Sequence, residues 1–91
     1  MTEQQMQAKM IKYLESKGAF VVKVITSNKT GCPDLLVCYK GLFLAIEAKA
    51  PGKIKNATEL QQAQLRKVRE AGGTAIVVDS LEIIKETLDE F

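Results

Sequence analysis

Two apolar runs, Leu35–Tyr39 and Leu42–Ala48, are separated only by Lys40-Gly41, and this spacing constrains the chain more than any other feature. Two turn-type residues between β-prone runs predict a tight antiparallel hairpin. Both faces of that hairpin are apolar, so its sheet should be covered on both sides. A hairpin centred on Lys40-Gly41 pairs Tyr39 with Leu42, Val37 with Leu44, and Asp34 with Glu47. Directly opposed residues hold their Cβ atoms roughly 4.5–5.5 Å apart on one face. Two carboxylates therefore converge at the far end of an otherwise apolar hairpin. Lys49, two residues past Glu47, points to the same face. A three-residue turn would shift the pairing and separate these groups.

The remaining elements follow from periodicity and punctuation. Residues 3–17 carry Met6, Met10, Tyr13 and Leu14 at helical spacing and stop before Gly18. Residues 19–25 are β-branched and predict a strand, followed by a polar loop from Thr26 to Gly31. Pro51-Gly52 breaks the chain, and residues 58–71 predict a second helix that ends at Gly72-Gly73. Thr74–Val78 is a short strand, and residues 81–90 form a terminal amphipathic helix. The expected order is αβββαβα, in one domain spanning residues 1–91.

Absences narrow the chemistry. The chain has no histidine, which removes imidazole acids, bases and metal ligands. Cys32 and Cys38 cannot complete a four-ligand zinc site alone, and no secretion signal supports a disulfide. Cys38 reads as a small core residue in mid-strand and Cys32 as a small loop residue. The longest uninterrupted apolar run, Leu42 to Ile46, is too short to span a membrane. A polar N-terminus completes the expectation of a cytoplasmic, intracellular protein. Any chemistry must come from carboxylates and lysines.

Charge is segregated along the chain. Residues 17–55 hold seven lysines against Asp34 and Glu47, while residues 79–91 hold five carboxylates against Lys85. A basic middle fits an anionic partner such as nucleic acid, or simply a solvated lysine-rich surface. With only five aromatics, a base-stacking platform of the RNA-recognition type is not expected.

Two close carboxylates repel unless one is protonated or a cation lies between them. Oxygen ligands of this kind suit Mg²⁺. A lysine beside such a metal can balance charge on a phosphoryl transition state. The competing reading makes Asp34 a loop cap and Glu47–Lys49 a weak surface ion pair. Glu47 follows Phe43-Leu44-Ala45-Ile46, however, where another apolar residue would cost less.

Gly31-Cys32-Pro33-Asp34, the hairpin and Glu47-Ala48-Lys49 resemble the PD-(D/E)XK nuclease motif. With Glu3 in the first helix, Gln61 in the helix after the motif and Ala71-Gly72-Gly73 before the last strand, the ordered set resembles the virus-type replication-repair nuclease (VRR-NUC) family. The resemblance covers nearly the whole chain. It implies a restriction-endonuclease-like α/β fold, with an αβββαβ core, a mixed central sheet flanked by helices, and here an extra C-terminal helix. It implies metal-dependent hydrolysis of DNA phosphodiesters with Mg²⁺ or Mn²⁺, leaving 5′-phosphate and 3′-hydroxyl ends.

Carried over residue by residue, the resemblance makes Asp34, Glu47 and the Ala48 carbonyl metal ligands. Glu3 becomes an auxiliary ligand, Lys49 the catalytic lysine, and Gln61 the residue that positions it or the water. Glu3 is equally a helix-start acid favoured by the macrodipole. Gln61 equally completes a capping box with Thr58. Lys23, Lys29, Lys53 and Lys55 flank the motif and are candidates for phosphate contacts. Relatives that act as dimers on branched DNA suggest a homodimeric, Holliday-junction-resolving enzyme. The first helix (Met6, Met10, Tyr13) and last helix (Leu81, Ile84, Leu88) are then candidate interfaces. The alternatives are a nicking or flap-type nuclease, a non-catalytic DNA-binding module of the same fold, and an interaction domain using the acidic C-terminal helix.

Overall fold

The Lys40-Gly41 turn sets the register of the sheet. In the computed structural model, which describes all 91 residues, Lys40 (φ 50°) and Gly41 (φ 76°) both lie in the left-handed region. That is the requirement of a two-residue type I′ turn. Strand β2 (Leu35–Tyr39) pairs antiparallel with β3 (Leu42–Ala48), Tyr39 facing Leu42, Val37 facing Leu44 and Leu35 facing Ile46.

Around this hairpin the chain forms α1 (Glu3–Ser16), β1 (Phe20–Lys23), a 3₁₀ turn (Ile54–Asn56), α2 (Glu59–Glu70), β4 (Thr74–Val78) and α3 (Leu81–Asp89). The order is the expected αβββαβα. The sheet runs β1-β2-β3-β4, antiparallel except for β3–β4, which are parallel. A parallel pair needs a long crossover, and α2 supplies it.

The period-2 alternation of β3 divides the core between two layers. Leu44, Ile46 and Ala48 join Leu35 and Val37 in packing against Met6, Met10 and Leu14 of α1 and Ile84 and Leu88 of α3. Ala45 faces the other way, into a smaller cluster with Leu65 of α2 and Ala75 of β4. Glu47 shares that second face, because it lies two residues beyond Ala45.

Three expectations need correction. The first strand is Phe20–Lys23 rather than residues 19–25, and it is a sheet edge: Phe20 is 70% exposed and Ile25 80%. Cys38 is exposed rather than buried. It lies between Phe20 and Phe43 in register, on the part of the second face that α2 leaves open. The apolar stripes of α1 and α3 are not free for a partner. Met6, Met10, Ile84 and Leu88 are buried in the chain's own core, with Tyr13 and Leu81 packed against it. No helix is long and apolar enough to cross a membrane.

Fully buried on the central strand, Ile46 should cost about 2–5 kcal/mol of unfolding free energy when replaced by alanine. Leu42→Ala, at a position 49% exposed, should stay within about 0.5 kcal/mol of wild type. Urea unfolding of the two variants checks this, and equal losses would place the core elsewhere.

Candidate active site

Asp34 stands one residue before β2, where the backbone ladder of the hairpin has run out. Its carbonyl accepts from the Val24 N–H at 2.9 Å, and its Oδ2 accepts from the Ala48 N–H at 2.8 Å. A side chain thus closes the last rung of the hairpin. This holds the Asp34 carboxylate beside Glu47, the residue preceding Ala48.

Glu47 is 1% exposed, and neither of its oxygens has a hydrogen-bond partner. The Lys49 ammonium lies 3.5 Å from Glu47 Oε2 and is itself buried. An exposed, solvent-screened ion pair is therefore excluded. Burial pushes the Glu47 carboxyl up to about 8; the adjacent Asp34 pushes the same way, and Lys49 pulls it back less strongly. Burying a carboxyl without a full set of partners costs several kilocalories in general, and this fold places one at the end of its central strand.

A third carboxylate comes from the start of α1. Oxygens of Glu3, Asp34 and Glu47 lie within 4.8 Å of one another. Thr2 holds Glu3 there by capping the helix: its hydroxyl accepts from the Gln5 N–H at 3.1 Å, and its own N–H donates to Gln5 Oε1 at 2.8 Å. The Thr2-Glu3-Gln4-Gln5 pattern is a readable capping-box signal, and it anchors a terminus that short chains usually leave frayed.

Ala48 contributes main chain. The Lys49 N–H donates to the Val78 carbonyl at 2.8 Å, on the β4 side. In a planar trans peptide the carbonyl points opposite to the N–H, so the Ala48 carbonyl points toward β2 and Asp34. Three carboxylates and this carbonyl form an all-oxygen donor set around a buried carboxyl whose oxygens have no hydrogen-bond partner. That composition fits a hard divalent cation such as Mg²⁺ or Mn²⁺.

Gln61 joins the lysine to the helix behind it. Its Oε1 accepts from Lys49 Nζ at 3.1 Å and from the Thr58 N–H at 2.9 Å, while Thr58 Oγ1 accepts from the Gln61 N–H at 3.1 Å. The cap and the lysine contact do not compete, because a carbonyl oxygen has two lone pairs. Gly31 explains how the loop reaches this helix. It has φ 79°, and a Cβ there would come within 2.8 Å of the Leu60 carbonyl group and 3.0 Å of the Gln61 nitrogen. Only glycine fits both the turn and the contact.

Among solved structures, one described as a VRR_NUC domain superposes with a TM-score of 0.75, covering 98% of this chain and 96% of its own, at 23% identity. The fold is that of a VRR-NUC domain. No family model matches the chain, and no curated protein does.

Within this VRR-NUC fold, Lys23, Lys29, Lys53 and Lys55 are all exposed and form no ion pair with the carboxylate cluster, whose single ion pair is Lys49–Glu47. Lys53 and Lys55 sit on the 3₁₀ turn beyond Pro51-Gly52. Lys29 lies in the loop before Asp34 and, with Lys67 of α2, lines a groove. Lys67 carried no sequence signal, since nothing in its spacing shows that α2 lies beside that loop.

The raised Glu47 carboxyl makes a signed prediction. The folded protein retains a proton that the unfolded chain loses near pH 4.5, so the metal-free protein should lose stability between about pH 4.5 and 8 and level off above. Glu47→Gln should flatten that slope. Thermal melts across this range, with EDTA, provide the check; a slope unchanged in Glu47→Gln would remove Glu47 as its source.

Proposed function

We propose that this chain is a VRR-NUC nuclease, a Mg²⁺- or Mn²⁺-dependent DNA endonuclease that hydrolyses phosphodiester bonds. The observation that carries the reading is the buried Glu47, held among Asp34, Glu3 and Lys49 without a hydrogen-bond partner. A fold under no functional demand would place an apolar residue there. The similarity to a VRR_NUC domain structure supports the same reading.

Asp34, Glu47, Glu3 and the Ala48 carbonyl would hold the cation, which when bound supplies positive charge to a phosphodiester and acidifies water. Asp34 is kept in place by the Ala48 N–H, and Glu47 by strand β3. Lys49 offers its ammonium to a phosphoryl oxygen, where negative charge grows as the bond breaks. Gln61 restricts Lys49 to one direction, so little reorganisation is needed during reaction. Exposed Lys53, Lys55, Lys23 and Lys29 would hold flanking phosphates as point charges.

Two finer proposals accompany this one. The substrate is branched DNA of the Holliday-junction kind, and the working unit is a homodimer, since two symmetric cuts suit two symmetric sites. With the helical stripes consumed by the core, the candidate interface moves to the open edge strand β1, where Phe20 and Val22 are exposed. Light scattering at micromolar concentration should give about twice the chain mass; a monomer fully active on four-way junctions would exclude the dimer.

The deciding experiment is cleavage of a panel of branched, flapped and linear DNAs with Mg²⁺ or Mn²⁺. Asp34→Asn and Glu47→Gln should each abolish cleavage while circular dichroism stays native. Lys49→Ala should lose most turnover yet keep its DNA affinity, because its interaction belongs to the transition state. Near-wild-type cutting by either carboxylate variant would overturn the site, and DNA binding without cleavage by the wild type would make the chain a binding module.

A further inference from the structure

Beside the carboxylate cluster, on the same face of the sheet, lies a groove of about 470 Å³ between the hairpin and α2. Its apolar walls include Pro33, Leu36, Phe43 and Val68, and its rim carries Lys29 and Lys67. Phe43 is 45% exposed in it. Gly73 makes room for the ring: a Cβ there would come within 3.0 Å of Phe43 Cδ2 and 2.9 Å of Val68 Cγ1. No carboxylate lines the groove.

Its position relative to the cluster is fixed by the strand. Leu36 is two residues beyond Asp34, faces Ala45 in register, and so shares the face of Glu47. Two residues of strand span about 7 Å, which is close to the reach of one nucleotide. On α2, Gln64 also lines the groove and lies three residues, one helical turn, beyond Gln61. Phe43 faces Cys38 and stands four residues of β3 before Glu47, about 13 Å away. A strand with its phosphate at the carboxylates would therefore bring its next nucleotide to the groove at Leu36 and extend that nucleotide's base toward Phe43.

We propose that this groove is a subsite for one unpaired nucleobase flanking the phosphate to be cut. The proposal rests on the nuclease reading and narrows its branched substrate to DNA with an unpaired nucleotide beside the cleavage point, as at a flap or at a branch point whose end pair has opened. Bases inside a duplex hide their faces in the stack, so only an unpaired base can lie against Phe43. One aromatic is enough for one base, and such stacking tolerates any base because every base has a π-face. Lys29 and Lys67 complement the phosphates on either side of that base, and Gln64 offers an amide to its polar edge. The same lysines disfavour a second copy of this chain as occupant, since two such rims would meet with no carboxylate between them.

The test measures binding with EDTA present, so that catalysis plays no part. A duplex carrying unpaired 2-aminopurine next to a flap junction is compared with a fully paired duplex of equal length. Wild-type protein should prefer the first, and the probe's fluorescence should rise as the base leaves its neighbours. Phe43→Ala should weaken binding to the unpaired DNA by about tenfold and leave the paired duplex unchanged. Phe43→Tyr should restore the preference, and Phe43→Leu, which keeps apolar bulk without a π-face, should not. Equal losses on both DNAs, or none, would overturn the subsite while leaving cleavage intact as support for the nuclease. If wild type bound neither DNA, the nuclease reading would fall as well. A halved mass by light scattering in Phe43→Ala would make the groove a contact between copies and overturn the proposal.

Discussion

A carboxylate buried at the end of the central strand is the constraint around which the rest of this small protein is arranged. Glu47 is buried in the sheet with Glu3 from the first turn of α1 beside it, and its oxygens lack hydrogen-bond donors. Such a group is tolerable only as a protonated acid or beside positive charge. Lys49 supplies part of that charge at 3.5 Å. The surrounding oxygens of Asp34, Glu3 and the Ala48 carbonyl suit a cation that would supply the rest. The folded chain thus carries a local instability at the place where chemistry is proposed, and the large apolar cluster on the opposite face offsets it.

Backbone hydrogen bonding does much of the positioning. The type I′ turn aligns Asp34 with the end of β3, and the Asp34 side chain then takes the Ala48 N–H that no strand partner reaches. The Thr58 cap orients the Gln61 amide, whose oxygen also receives Lys49. The Thr2 cap holds the first turn of α1, from which Glu3 reaches the other two carboxylates. Capping is usually worth about 1 kcal/mol to a helix; here it also aims the charged groups. Gly31 links two of these devices by letting the loop before Asp34 touch the first turn of α2.

Much of this was legible in the residues. The dipeptide Lys40-Gly41 between two apolar runs determined the hairpin, its register and the convergence of Asp34, Glu47 and Lys49, because side-chain direction in a strand alternates with period two. Thr58–Gln61 marked the start of α2 through local geometry alone, while the matching Thr2–Gln5 cap on α1 was seen first in the structure. The VRR-NUC-like order of motifs pointed to the fold that the structural similarity shows.

Other features depended on which surfaces the helices cover. Cys38 and Phe43 lie in apolar strands, yet both are exposed, because α2 packs over β3 and β4 and leaves the outer half of that face open. The same open face gives the groove between Phe43 and Lys67. Met6, Met10, Ile84 and Leu88 present stripes that would suit a partner equally well, and only the packing shows them turned into the chain's own core. Local sequence therefore determined each element, its caps and the face on which each side chain stands, since these depend on dihedral preferences and short-range hydrogen bonds. Coverage, burial and the pairing of Lys49 with Gln61 were decided by tertiary structure, since they depend on distant segments competing for the same sheet surface.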